Sequence, residues 1–383
     1  MIHFIKRLLK SVLPVVFLKK TFLVYNTFKI KTFDRFLFPE RLVSREEFLL
    51  YREGFPFIEN NVKTNSISQR SVEEYMRQWN NWTQEEYIVI FKEKHIIEPR
   101  TGWAIVGRNK LLYFSLGISR TLFLAKPSFL TLFFKRKKIT KVSSLISLRD
   151  TGEENYFHFF NDVLTKLYLL VENKIEISSY PLLVSKRLWD KPYFQFWLEQ
   201  DHAFRNFNWV VQKEDEYIES NETVFCKALT HRPDLYTQIF SVYKLEISVL
   251  KSKRIYLKRN PKRLRFVEND EAVELLVKKY DFQIVDTDEL SAVEQVKLFG
   301  QAAFVIGIHG AGLTNLMFAQ HPEKLIEMFP PPDTGYLPFH YIMIASLKGM
   351  VYDALIGLPS ENKFSGGFLV DVIELEKLIK KVI

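Results

Sequence analysis

Asn155-Tyr156-Phe157-His158-Phe159-Phe160-Asn161-Asp162 sets an imidazole and a carboxylate four residues apart, which on a helix places both on one face. Two proton-accepting groups so placed suit general base catalysis, with Asp162 or His158 as the base. The same spacing describes a histidine satisfied inside an aromatic core with Asp162 as its structural partner. The pattern alone leaves both open.

A second stretch has different chemistry. Phe304-Val305-Ile306-Gly307-Ile308-His309-Gly310-Ala311-Gly312-Leu313-Thr314-Asn315 reads as a strand, a small-residue turn and a helix start. Glycines at such a turn let backbone N–H groups approach a ligand closely, and the helix N-terminus adds partial positive charge, so a diphosphate fits there. His309 supplies a side-chain donor. The plainer reading is a tight strand-to-helix turn and nothing more. Support for the first comes from Lys258-Arg259-Asn260 and Arg263-Leu264-Arg265, which follow the first strand of the same region. Loops after successive parallel strands open on one edge of a sheet, where ligands bind. Arg259 and Arg263 are therefore placed to clamp phosphate oxygens bidentately, against the alternative of a solvated basic loop. Glu327 ends the next strand at that edge, as a partner for ribose hydroxyls or as an ordinary surface glutamate.

Other motifs are weaker. Asp286-Thr287-Asp288 has the form of an acidic triplet that chelates a divalent metal beside a sugar nucleotide, yet it immediately precedes Ser291-Ala292-Val293-Glu294, a capping box. The triplet is expected to end a strand and begin a helix, with no metal bound. His309-Gly310-Ala311-Gly312 has the look of a hydrolase oxyanion turn, but the chain contains no Gly-x-Ser-x-Gly nucleophile elbow. Cys226 is the single cysteine, which excludes internal disulfides and multi-thiolate metal sites and fits a reducing compartment. Net charge of +9 over 383 residues favours phosphate-bearing partners. Nucleic acid is set aside, because no RNP pattern, zinc-finger spacing or helix-turn-helix accompanies the charge.

These residues need a scaffold, and the chain is long enough for two domains. From about Arg254, short β-branched runs alternate with helical patterns as far as Tyr352, the signature of a parallel sheet with crossover helices. Upstream, hairpin-like stretches between Glu86 and Phe134, punctuated by Gly102, Gly107 and Gly117, lead into a second α/β alternation beginning with a helix from about Asn155 to Val171. The expected organisation is a basic amphipathic segment over 1–30, an α/β domain over 31–248, a Rossmann-like domain over 249–365, and a terminal segment over 366–383 whose helix packs back toward the first domain. Leu235 to Ser252 is read as the link. No apolar run reaches the roughly 20 residues of a membrane span, since Arg120 and Lys126 interrupt the longest one. The first twenty residues suit a membrane surface instead.

Gly307 to Asn315, Ile326-Glu327, the Arg259 and Arg263 pair, and Asn155-Tyr156-Phe157-His158 with Asp162 together resemble glycosyltransferase family 61, over roughly Asp150 to Gly357. Lys258 departs from the family, where a smaller residue often precedes the arginine. The resemblance implies an α/β, GT-B-like fold of two facing Rossmann-like domains with parallel sheets and an interdomain cleft. It implies a nucleotide-sugar donor in the C-terminal domain, a glycan or glycolipid acceptor on the N-terminal side, and inversion at the anomeric carbon without a metal or other cofactor. On this reading Asp162 and His158 are catalytic; Arg259, Arg263, His309, Gly310, Ala311 and Gly312 hold the donor phosphates; Glu327 and Asn315 bind the nucleoside. The missing transmembrane anchor and the single cysteine look like the family's bacterial branch, which makes capsule or lipopolysaccharide, with the protein expected in the cytoplasm or peripheral on the inner face of the cytoplasmic membrane. The competing function is a non-catalytic partner that keeps the fold and binds a nucleotide or polysaccharide.

Overall fold

The computed structural model describes residues 42–43, 47–54, 83–107, 110–117, 138–243, 252–261, 264–331, 340–361 and 366–381. The N-terminal segment 1–30 and Arg263 lie outside the described residues. The chain divides into two compact units, whose described parts are residues 42–243 and 252–381. Among the described residues no helix is long and apolar enough to cross a membrane.

The first unit is built on a ten-stranded mixed sheet. Its strands are β1 (Leu42–Val43), β2 (Glu47–Gly54), β3 (Gln84–Phe91), β4 (His95–Ile97), β5 (Ala104–Val106), β6 (Lys110–Leu112), β7 (Lys138–Ser147), β8 (Leu182–Ser185), β9 (Trp209–Gln212) and β10 (Glu216–Lys227). The long β10 lies against β7 in parallel, and β7, β8 and β9 continue the parallel series. On its other side β10 pairs antiparallel with β4 and β3. The hairpin-like region predicted from Glu86 is this antiparallel part. Gly102, Gly107 and Gly117 all have positive φ, the conformation that glycine reaches at no steric cost.

The loop after β7 is anchored from beneath. Arg149 Nε donates to Glu153 Oε1 at 2.7 Å and Nη2 donates to the Pro99 carbonyl at 2.9 Å. Lys166 Nζ donates to the Arg149 carbonyl at 2.7 Å and to Asp150 Oδ2 at 2.9 Å. All four charged side chains are buried, so their mutual pairing is what makes burial tolerable. The helix that follows begins where Asn155 Oδ1 accepts the Phe157 N–H at 2.9 Å, an N-cap. The segment predicted as a linker is partly structural: a helix over Pro233–Ser241, started by proline in its first turn, buries Leu235, Tyr236 and Ile239.

The second unit carries a five-stranded, wholly parallel sheet of β11 (Lys253–Leu257), β12 (Phe282–Val285), β13 (Ala302–Ile308), β14 (Lys324–Phe329) and β15 (Val351–Ile356). The order is β12-β11-β13-β14-β15. All seven residues of β13 are buried, as expected of a strand covered on both faces. Alternate residues Phe304, Ile306 and Ile308 join Ile326, Met328 and Tyr256 in one cluster with Val273 and Val277 of the helix Asp270–Lys279. The terminal helix Val372–Lys380 buries Leu375, Leu378 and Ile379 in that same cluster. Its apolar face thus belongs to the second unit's core, a correction to the expectation that it packs back toward the first. The capping box forms as predicted: Ser291 Oγ accepts the Glu294 N–H at 3.3 Å and Glu294 Oε2 accepts the Ser291 N–H at 2.8 Å, while Asp286 caps the short turn before it.

Candidate active site

In the first unit the predicted pair is formed. His158 Nδ1 lies 2.5 Å from Asp162 Oδ2. The two side chains differ in access: 32% of the imidazole is exposed but only 9% of the carboxylate. Asp162 sits in a π-helical stretch, Phe159–Leu164, inserted between the α-helical turns Tyr156–His158 and Thr165–Glu172. Such insertions recur at functional sites. Asp162 Oδ1 also accepts from Asn161 Nδ2 at 2.7 Å.

Burial disfavours charge on both members, and their mutual contact outweighs it. The hydrogen bond and charge of Asp162, with Asp150 and Glu154 behind, hold the His158 pKa above its ordinary value. His158, Asn161 and Lys166 hold the Asp162 carboxyl below its own. An ionised Asp162 only accepts hydrogen bonds, so Nδ1 carries the ring proton and Nε2 of neutral His158 presents a lone pair. Such an arrangement can serve as a proton acceptor at Nε2 with a carboxylate orienting the ring.

The second unit gathers the remaining candidates at one edge. The sheet order reverses between β11 and β13, and at such a switch point the loops after the strands separate and leave a crevice. The loop after β11 carries Arg259 and the loop after β13 carries His309-Gly310. They meet, with Arg259 Nη1 donating to the His309 carbonyl at 3.3 Å. The helical turn Ala311–Phe318 starts here, and its first internal bond runs from Leu313 N to the Gly310 carbonyl at 3.0 Å. The N–H groups of Ala311 and Gly312 precede that bond, as donors at a helix start do.

Gly310 has an extended φ of 165°, and neither Gly307 nor Gly312 is left-handed. Each leaves room for a neighbouring side chain. A Cβ on Gly307 would lie 2.7 Å from Leu313 Cδ2, one on Gly310 2.5 Å from Arg259 Nη1, and one on Gly312 3.1 Å from Leu257 Cδ2.

Glu327 and Asn315 are engaged internally. Glu327 is fully buried, with Oε1 2.5 Å from His309 Nδ1 and Oε2 accepting from the Tyr352 hydroxyl at 2.8 Å. Each carboxylate oxygen thus has a partner within the protein. Burial raises the Glu327 pKa well above its ordinary value, against the Tyr352 hydrogen bond and the Arg265 charge. Burial, with Arg265 and Arg259 nearby, pushes His309 down to about 3. Burial thus works against charge on both members of this contact. Asn315 is also fully buried, its Nδ2 donating to Gln295 Oε1 at 2.9 Å and to the Gly312 carbonyl at 3.1 Å. It braces the turn.

Arg265 is the residue that sequence reasoning left aside. Its backbone is left-handed at φ 63°, and its N–H donates to the Gly366 carbonyl at 2.7 Å. Burial lowers the pKa of its guanidinium, with Tyr341 and Glu327 acting against it. Among the described residues it has no carboxylate within ion-pairing distance. Lys258, by contrast, pairs with Glu274 at 3.0 Å. The only sequence signal for Arg265 was its place in the basic run.

The family model described as Glycosyltransferase 61 matches residues 156–326, a span that holds His158, Asp162, Arg259, Arg265, His309 and Gly310. Among characterised proteins, the chain is similar to the EGF domain-specific O-linked N-acetylglucosamine transferase of Drosophila melanogaster, at 32% identity over 99 residues. That alignment covers 25% of this chain and 18% of the relative, so the chain spans less than a fifth of that protein's length.

Proposed function

We propose that this protein is an inverting glycosyltransferase that moves a sugar from a nucleoside diphosphate to a hydroxyl of a glycan or glycolipid acceptor. The observation that carries the proposal is the cradle at the switch point, where Arg259 meets the His309-Gly310 turn beside the amides of Ala311 and Gly312. A diphosphate is the ligand that such a set of cations and N–H donors recognises.

The reaction follows from the two half-sites. The acceptor hydroxyl attacks the anomeric carbon from the face opposite the diphosphate and gives its proton to His158 Nε2. The bond between that carbon and the phosphate oxygen breaks, and its electron pair leaves with the nucleoside diphosphate. Negative charge grows on the leaving group in the transition state, where Arg259, Arg265, the His309 N–H and the turn amides stabilise it. These protein groups supply the charge that a divalent metal would otherwise provide, so metal independence is part of the proposal. The GT-B-like fold implied by the resemblance is part of the proposal. The bacterial surface-polysaccharide setting stays within it, supported by the single cysteine and the family resemblance.

The test is a thermal-shift panel of nucleoside diphosphates and nucleotide sugars. A ligand at 100 times its Kd adds about 2.7 kcal/mol to the folded state, so one base series should raise the melting temperature clearly. The matching sugar nucleotide should then yield product of inverted anomeric configuration, with EDTA leaving the rate unchanged. No shift with any member of the panel would defeat the proposal. Gly310→Ala gives a finer check. Its Cβ displaces the flexible tip of Arg259 rather than backbone, so the unliganded melting temperature should hold while the donor KM rises roughly tenfold, about 1.4 kcal/mol.

A further inference from the structure

Behind the His158–Asp162 pair lies a buried hydrogen-bond chain that the mechanism has not used. Asn161 Nδ2 donates to Asp162 Oδ1 at 2.7 Å, on the oxygen that does not face His158. The amide oxygen of Asn161 is held by two donors, the Tyr236 hydroxyl at 2.8 Å and the His231 N–H at 3.2 Å. Tyr236 and His231 are fully buried, and 4% of Asn161 is exposed. His231 has a left-handed backbone, φ 61°, which is uncommon for a residue other than glycine. Held strain of this kind requires over-determination by its surroundings. Here Arg232, the next residue, pairs with Glu86 at 3.1 Å and with Glu172 at 2.7 Å, and helix Pro233–Ser241 follows at once with Tyr236.

We infer that Asn161 is a positioning residue, which Tyr236 and the His231 N–H orient so that it fixes the Asp162 carboxylate and, through it, the ring tautomer of His158. This rests on the reading of His158 as the base. An amide can flip, exchanging its oxygen for its NH2 group, and a flipped Asn161 would set oxygen against the carboxylate. The His231 N–H, which can only donate, and the ionised Asp162 carboxylate, which can only accept, together oppose the flip, and the Tyr236 hydroxyl donates to the same Oδ1. Asp162 is then held at both oxygens, from Asn161 on one side and His158 Nδ1–H on the other. Nε2 is left without a proton, in the form that accepts one from a hydroxyl. An interhelical brace would need only some hydrogen bond here; a device for setting the tautomer needs this polarity.

The experiment reads the tautomer directly, without depending on turnover. The chain has eight histidines, so the ring signals of the full-length, 15N-histidine-labelled protein are assigned to His158 by their loss in His158→Gln. At a pH where the ring is neutral, wild type should show Nδ1 protonated and Nε2 bare. Asn161→Ala should move the population toward the Nε2–H form and lower kcat about tenfold or more, with the donor KM unchanged. Tyr236→Phe, which deletes one oxygen and stands in if the first variant does not fold, should shift both in the same direction by less. Retention of the wild-type tautomer in the folded variants would overturn the inference, as would an Nε2–H ring in wild type. If wild type transfers no sugar while these tautomer shifts are seen, the positioning role stands and the functional reading falls.

Discussion

His158→Ala lowers kcat by about 10²- to 10⁴-fold, the range expected for loss of a positioned general base, and leaves donor binding as it was. The imidazole is the exposed member of its pair, and its partner is buried with both oxygens occupied. The pH dependence carries a sign. Asp162 holds the His158 pKa above the ordinary imidazole value, although burial works the other way. The base must be unprotonated, so kcat falls as pH drops through that raised pKa and recovers above it. Asp162→Asn removes the hydrogen bond and charge that raise it and leaves burial, so the acid limb moves to lower pH while kcat drops for want of the oriented tautomer. Rates across pH with saturating donor separate the roles. If Asp162 were itself the base, Asp162→Asn would abolish transfer while His158→Ala kept most of it.

What the sequence could disclose here was set by how local each feature is. The Asn155 cap, the four-residue spacing of His158 and Asp162, the Ser291 capping box and the alternation from β11 to β15 all depend on neighbours a few residues away, and all were legible. The π-helical insertion at Phe159–Leu164 was not, because a change from i→i+4 to i→i+5 bonding has no signature in residue type. Long-range partners decided the rest. Glu327 reads as a carboxylate at a strand end, but Tyr352 on the adjacent strand and His309 take both its oxygens. The turn glycines read as ligand-facing, yet the side chains that need the space are Arg259, Leu257 and Leu313, of which only Leu313 is a close sequence neighbour. The terminal helix shows an apolar face in its sequence, but not which core will receive it.

Removing either guanidinium from the second unit's site should raise the donor KM by about 10- to 100-fold, since a hydrogen bond to a charged group contributes about 1.5–3 kcal/mol and each 1.4 kcal/mol is tenfold. Arg259→Lys and Arg265→Lys keep the charge but lose the planar fork, so each should recover only part of the loss. Two cations on one diphosphate share a ligand, and the double variant should therefore cost less than the product of the singles, by a coupling of about 0.5–3 kcal/mol. Arg265 adds a second readout. Its guanidinium is partly desolvated, with no carboxylate in ion-pairing range among the described residues. In the absence of ligand that arrangement is unfavourable to the fold. Arg265→Met should then melt higher than wild type without nucleotide, by about 1 kcal/mol or roughly 2–4 °C, and lower than wild type with saturating nucleoside diphosphate. Crossing of the two melting orders on addition of ligand is the signature of a cation held ready for an anion. A variant that melts lower under both conditions, with its donor KM unmoved, assigns Arg265 to the fold alone.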